Sequence, residues 1–264
     1  MSFQSKQDKW PIPKFDENDQ PHFLFIITPP YSGSTALANL INTSHKTMIL
    51  QPRGEGQWLI PGMCEKDRWN ADKDINYLSV KATWLNKYQA IKKLTQNIEV
   101  VIEKSPPNMM RMKQIASQFK SYSFIANNRD PYANCASILY RHHDTDNLGQ
   151  DERKVILDKL TSAWVMRSVK IKELISSLNA PLVTYEEFCR EPLLIIDKLA
   201  VPDGVTDSID PNANLKVKDY KPQPISNQNE RQISLLTGSE IDYISQRLKP
   251  EGGLLNYFGY ELRS

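Results

Sequence analysis

The sequence predicts an α/β fold, a single domain with a central parallel β-sheet flanked by helices. Three observations carry that prediction. Short apolar runs at Phe23 to Ile27, Val100 to Ile102 and Tyr122 to Ala126 are each bounded by turn-forming residues, as strands buried on both faces are. Segments with helical apolar spacing follow each of these runs, the alternation that builds parallel sheets. Finally, 264 residues with 40% hydrophobic and 24% charged side chains are enough to bury one full core without a second domain.

The chain is organised around Phe23 to Leu40. Five apolar residues, preceded by Pro21 and followed by Thr28-Pro29-Pro30, read as a strand that ends at the prolines. Ser32-Gly33-Ser34-Thr35 then supplies one glycine, hydroxyls and a run of backbone N–H groups directly before Leu37, Leu40 and Ile41 at helical spacing. Such a strand–loop–helix junction gathers unpaired donors and the positive end of the helix dipole at one point, which suits a phosphate or sulfate. Ser and Thr are also ordinary N-cap residues, so the junction alone leaves a plain cap open. The eight-residue phosphate loop ending in Gly-Lys-Ser/Thr is absent, and Tyr122 to Ala126 runs into Asn127-Asn128 rather than a magnesium-holding Asp. Both features argue against an ordinary ATPase or kinase.

Residues 1–22, with Lys6, Lys9, Lys14, Pro11 and Pro13, read as an irregular N-terminal tail without a signal peptide's apolar core. No later stretch approaches a membrane span. A formal charge of +2 and a pI near 8.3 are too mild for nonspecific nucleic-acid binding. Cys64, Cys135 and Cys189 are odd in number and lack metal-ligand spacing, which points to reduced thiols in a cytoplasmic protein and no metal site.

After the first helix, Met48 to Leu50 reads as a short strand, followed by a Pro/Gly-rich loop that presents Arg53 and Glu55 between glycines, in surface or site positions. Ser79 to Gln96 is helical by period. Glu99 to Lys104 is a strand ending in a lysine before Ser105-Pro106-Pro107, which places Lys104 at the sheet edge where parallel sheets bind ligands. Asn108 to Phe119 reads as a helix. Asp130 as cap and Pro131 as first helical residue start a helix to about His142, with Arg129 just before it and Ser137 two turns along. A guanidinium and a hydroxyl make a good cradle for a phosphate monoester.

Asp151 to Leu178 is a long helix whose apolar stripe is interrupted by Arg167, a candidate buried ion-pair partner or cleft residue. Pro181 to Tyr185 reads as a further strand, and Glu191-Pro192 leads into a helix to about Ala200. From 201 to 229 the composition turns to Pro, Asp, Asn and Lys, a long loop or lid carrying Lys216, Lys218 and Lys221. A last helix covers Gly238 to Lys249, and Tyr257 to Leu262 packs back onto the domain. Trp58, Trp69, Trp84 and Trp164 are candidates for an acceptor site or for core.

In order, these segments resemble the sulfotransferase family that uses 3′-phosphoadenosine 5′-phosphosulfate (PAPS), especially its carbohydrate and protein-tyrosine branches. Pro30-Tyr-Ser-Gly-Ser-Thr-Ala-Leu37 resembles the loop that binds the 5′-phosphosulfate. Arg129-Asp-Pro, with Ser137 eight residues on, resembles the 3′-phosphate pair at the family's spacing. Val183-Thr-Tyr-Glu-Glu-Phe188 with Glu191-Pro192 is similar to the strand and turn that close the nucleotide pocket, and Phe258-Gly-Tyr260 to the terminus of several members.

The resemblance implies a P-loop nucleoside-triphosphate-hydrolase-like fold over 23–264. It implies transfer of a sulfuryl group from PAPS, leaving 3′-phosphoadenosine 5′-phosphate (PAP), to a hydroxyl or amine of a small-molecule or carbohydrate acceptor. Tyr31, Ser32, Gly33, Ser34, Thr35, Arg129, Ser137 and Tyr185 are the implied nucleotide contacts. Glu55 is the implied base and Lys104 the cation near the bridging oxygen, with His142 and His143 as rival bases of which a helix turns no more than one to the cleft. No metal is required on this reading. Where the family commonly has Lys or Arg before the loop's hydroxyls, this chain has Tyr31, which carries no charge at neutral pH. A phosphotransferase using ATP and a noncatalytic PAP-binding protein are the alternatives.

Overall fold

The computed structural model describes residues 11–95, 97–217 and 221–264. Lys6, Lys9, Gln96 and Lys218 lie outside them. Four parallel strands, β1 His22–Ile27, β2 Thr47–Ile49, β3 Val100–Glu103 and β4 Tyr122–Ala126, form one sheet in the order β2-β3-β1-β4. Register places Leu24 opposite Ile102 on one side and Ser123 on the other.

β1 is central because both its faces are apolar. Phe23, Phe25 and Ile27 enter one core cluster with Val101, Phe124, Trp84 and Trp164, while Leu24 and Ile26 enter a second with Val100, Ile102, Ile125 and Phe188. Each such side chain contributes about 1.5–3 kcal/mol by leaving water. α1 Ser34–Ile41 packs on the second face through Leu37, Ala38, Leu40 and Ile41. On the first face, α2 Tyr77–Thr95 contributes Val80, Trp84, Leu85 and Tyr88, and the long α5 Gln150–Leu178 contributes Leu157, Trp164 and Ile171. Trp84 and Trp164 are therefore core.

Two expected elements differ. Asn108 to Phe119 does not form one helix: a 3-10 turn covers Pro106–Arg111, and only Met112–Ala116 (α3) is α-helical. Pro106 and Pro107 lack N–H donors and favour such a tight start. Pro181 to Tyr185 is not a full strand but a single bridge, Leu182 beside Ala126, after which α6 begins at Tyr185 and runs to Arg190. The reason is a capping box: Thr184 Oγ1 accepts from Glu187 N–H at 3.2 Å, and the Glu187 carboxylate accepts from Thr184 N–H at 2.9 Å.

α4 Pro131–His142 follows β4, capped by Asp130, which accepts from Ala133 N–H at 2.8 Å. α7 Leu194–Lys198, α8 Asn229–Ile233, α9 Gly238–Leu248 and α10 Gly252–Phe258 complete the chain. Between α7 and α8, the described residues hold a short 3-10 turn at Thr206–Ser208 and an antiparallel bridge from Leu215 to Gln223. Residues 11–21 lack regular structure yet are fastened to α2: Gln89 bonds both N–H and C=O of Asp16, and Asn86 donates to the Lys14 carbonyl. Among the described residues no helix is long and apolar enough to cross a membrane.

Candidate functional site

The carboxyl ends of all the strands open onto one cavity of about 810 Å³. The loop after β1 enters it through Tyr31, Gly33, Ser34 and Thr35, the loop after β2 through Arg53 and Glu55, β3 through Lys104, and the turn after β4 through Arg129. This is the edge where open parallel sheets bind ligands. Ser137, Tyr185 and His142 also line it.

The β1–α1 loop is shaped by two residues of positive φ, Tyr31 at 63° and Gly33 at 76°. Gly33 is the N-cap of α1 and has no side-chain cap. Its carbonyl accepts from Ala36 and Leu37, while the N–H groups of Ser34 and Thr35 have no acceptor among the described residues. These donors at a helix start suit an anion. Ser32, in contrast, is fully buried off the cavity wall, where its hydroxyl meets Asn134 Nδ2 at 3.4 Å.

Gly33 is also a point of close approach. A Cβ there would lie 2.3 Å from Cδ2 of Tyr185, whose ring covers the loop. Gly33→Ala combines that clash with a disfavoured φ, an expected loss of about 2–4 kcal/mol. Thermal unfolding should show a midpoint lower by several degrees; an unchanged midpoint contradicts this packing.

Arg129 is buried and ties the two turns together. Its Nη1 donates to the Tyr31 carbonyl at 3.0 Å and its Nε to Asn229 Oδ1 at 2.9 Å, and the guanidinium lies 4.4 Å over the Tyr185 ring. Nη2 is buried and has no partner among the described residues. An unpaired buried guanidinium nitrogen costs stability unless an anion meets it. Its aim is set at a distance: Asn229 donates to Glu186 Oε1 at 2.6 Å, and Glu186 also accepts from Asp130 N–H and the Tyr260 hydroxyl. The terminal Phe258-Gly-Tyr260 thus braces the Arg129 turn. Tyr185, whose hydroxyl donates to Ser226 and accepts from Gln228 N–H, links the same turn to the 201–229 segment. Burial pushes its phenol up to about 12, which keeps the donor proton in place.

Lys104 is 2% exposed, its Nζ 3.1 Å from both Thr35 Oγ1 and Glu55 Oε1. Burial lowers the ammonium's pKa despite the Glu55 charge. The Glu55 carboxylate also accepts from Gln57 Nε2 and Trp58 Nε1, each at 2.9 Å. Burial raises its pKa, but Lys104 and these donors outweigh it and hold the carboxyl below its ordinary value. Glu55 is therefore ionised at neutral pH. Tyr31 bonds His142 Nε2 through its hydroxyl, the two rings edge-on at 5.4 Å. His143 does not line the cavity, nor do Lys216 and Lys221.

Residues that sequence reasoning missed hold this arrangement. Glu103 is fully buried and accepts from Gly56 N–H, Ser105 N–H, the Ser105 hydroxyl and Asn108 Nδ2, fixing the loop that carries Glu55. Burial pushes its carboxyl up to about 7, from an ordinary 4.5. Between those values the folded chain binds the extra proton, so this group's contribution to stability declines as pH rises through that window and is fully lost above it, a change of about 3 kcal/mol. Urea unfolding at pH 5 and pH 8 should show that decline in the native chain and a flatter profile in Glu103→Gln; identical profiles contradict it.

The wall of the cavity is strongly cationic. Arg53, Arg68, Lys104, Arg129, Arg141, Arg167 and Arg231 line it beside a single carboxylate, Glu55, among the described residues. A chain with net charge of only +2 has concentrated its cations where a small polyanion could sit. Trp58 and Trp69 line the same wall. Among the described residues, Cys64, Cys135 and Cys189 are free thiols and no cluster of His, Cys, Asp or Glu could hold a metal ion.

Comparison with known proteins places this fold. No family model matches the sequence, and no curated protein matches it significantly. Among solved structures, the chain is similar over 95% of its length, and 100% of the other's, to the sulfotransferase domain from the Synechococcus PCC 7002 olefin synthase (TM-score 0.52, 19% identity). It is similar over 92% of its length to sulfotransferase STF9 from Mycobacterium avium (78% of that chain, TM-score 0.55, 13% identity). It is likewise similar over 92% of its length to a sulfotransferase from Alicyclobacillus acidocaldarius (98% of that chain, TM-score 0.54, 14% identity). At these identities the likeness is one of fold: the chain has the sulfotransferase fold.

Proposed function

We propose that this chain is a sulfotransferase that moves a sulfuryl group from PAPS to a hydroxyl or amine of an acceptor. The observation that carries the reading is the Arg129 side chain. It bonds the Gly33 loop through the Tyr31 carbonyl and leaves a buried Nη2 unpaired in a wall of cations, so two anion-binding turns converge on one cavity.

The residues present fit a nucleotide with phosphate at both ends. Ser34 and Thr35 N–H groups, with Gly33 giving close backbone approach, hold the 5′ end at the start of α1. Arg129 and Ser137 hold the 3′-phosphate, the group that distinguishes PAPS from ATP, while the Tyr185 ring packs against the guanidinium. Bound PAPS supplies the activated sulfuryl group. Glu55 takes the proton of the acceptor's hydroxyl or amine, and Lys104, bonded to both Glu55 and Thr35, offsets charge on the leaving oxygen. Tyr31 contributes a hydroxyl, paired with His142, where a cation is common in the family, and Lys104 and Arg53 provide the positive charge instead.

Incubating the purified chain with PAPS labelled in its sulfate and a panel of small-molecule and carbohydrate acceptors tests the reading. Labelled product with any acceptor supports it. Transfer from ATP with magnesium, together with no binding of PAP, would overturn it in favour of a phosphotransferase. PAP binding without turnover on any acceptor would favour a noncatalytic nucleotide-binding protein.

A further inference from the structure

The nucleotide contacts account for Lys104 and Arg129 but leave a second group of cations unexplained. Arg68 and Arg167 line the cavity with Trp69, and Arg167 stacks on the Trp69 ring at 4.4 Å. Neither arginine forms an ion pair among the described residues. The acids beside Arg68 in the chain, Glu65 and Asp67, both bond Lys73 instead. Among the described residues, Arg68 Nη1 reaches the Cys64 carbonyl, at 3.3 Å, and Arg167 Nε is buried with no partner. Burial and the nearby Arg68 charge both lower the Arg167 pKa.

Two guanidinium groups brought together without a carboxylate repel each other and cost stability. The fold nevertheless holds them there firmly. Buried Arg111 donates to the Arg68 carbonyl at 3.2 and 3.1 Å and to the Asn70 carbonyl at 2.5 Å, clamping the Arg68 loop, while Arg167 sits on the rigid α5. On α5, Leu160 and Ala163, seven and four residues before Arg167, line the cavity on the same helical face. An apolar strip ending in an aromatic ring and two unpaired arginines matches a molecule with an apolar body and an anionic group.

We propose that Arg68, Trp69 and Arg167 form the acceptor subsite and that the acceptor carries an anionic group, a carboxylate, phosphate or sulfate, beside its reactive hydroxyl or amine. The acceptor part of this inference rests on the proposed sulfotransferase activity; the anion subsite does not.

Calorimetric titration with 4-hydroxyphenylacetate and its neutral amide, 4-hydroxyphenylacetamide, tests it, with and without saturating PAP. These probes are nearly the same size and shape, and the acid alone carries a charge. The acid should bind about tenfold more tightly than the amide, because charge-assisted bonds to arginine are the stronger class. Arg68→Gln and Arg167→Gln should each remove that preference while leaving PAP affinity unchanged, and Arg167→Lys should retain part of it. Equal binding of acid and amide, no binding of either at millimolar concentration, or equal losses for both in Arg167→Gln would overturn the subsite. Failure to bind PAP with the acid preference intact would sink the sulfotransferase reading and leave the anion subsite standing.

Discussion

Replacing Arg129 by Ala should weaken PAP binding by about two orders of magnitude and AMP binding by no more than about threefold. The asymmetry follows from what Arg129 is placed to do. AMP lacks the 3′-phosphate, so it forgoes the contact that the unpaired Nη2 offers in the native chain as well as in the variant. PAP loses a charge-assisted contact from a buried, oriented guanidinium, worth about 1.5–3 kcal/mol per bond, and a fork can make more than one. The substitution also leaves Asn229 Oδ1 and the Tyr31 carbonyl without their donor, so some loss of stability is expected. Arg129→Lys separates the two effects: it keeps the charge but not the fork, and PAP affinity should fall to an intermediate value. Calorimetry with both nucleotides on all three proteins gives the answer, and equal losses for PAP and AMP would reject the role.

The second large effect falls on turnover. Glu55→Gln should lower kcat by about a hundredfold or more while PAP affinity stays within about twofold, since general bases contribute on that scale. Gln keeps one acceptor oxygen, which serves Lys104 or the Gln57 and Trp58 donors but not both, so a modest loss of stability should accompany the loss of rate. The pH profile separates Glu55 from its rival. A carboxylate held below its ordinary range by Lys104, Gln57 and Trp58 stays ionised from neutrality well into the acid range, so kcat/KM should remain flat there. An imidazole base instead loses activity as pH falls through about 6.5. A rate untouched in Glu55→Gln with such an acid limb would move the base to His142, which lines the cavity and bonds Tyr31.

Local physics made much of this legible in the sequence. β1, β3 and β4 could be read because Phe23 to Ile27, Val100 to Ile102 and Tyr122 to Ala126 are apolar on both faces, and no helix of that length could use them so fully. The Asp130-Pro131 helix start and the Gly33 turn are likewise set by residues next to one another. Tyr185 opens a helix instead of ending a strand because Thr184-x-x-Glu187 spells a capping box, a local signal that the apolar Leu182 and Val183 just before it mask. Sequence could not show how the site is supported, because Asn229 meets Arg129, Glu186 holds Asn229 and Tyr260 holds Glu186 from remote parts of the chain, and no local pattern states that these three join. Glu103 lies within a segment that reads only as a strand, and the folded loop is what shows its carboxyl buried and bonded to Gly56 N–H next to Glu55. Arg68 and Arg167 are nearly a hundred residues apart, so their convergence on Trp69 exists only in three dimensions.

Sulfuryl transfer from PAPS in this cavity requires the Gly33 loop and the Arg129 turn to grip one molecule. A crystal structure of the chain with PAP measures that directly. The bisphosphate should lie across the cavity with its 5′-phosphate at the Ser34 and Thr35 N–H groups and its 3′-phosphate on Arg129 Nη2. PAP bound elsewhere, or held by one turn with the other facing solvent, would contradict the assignment.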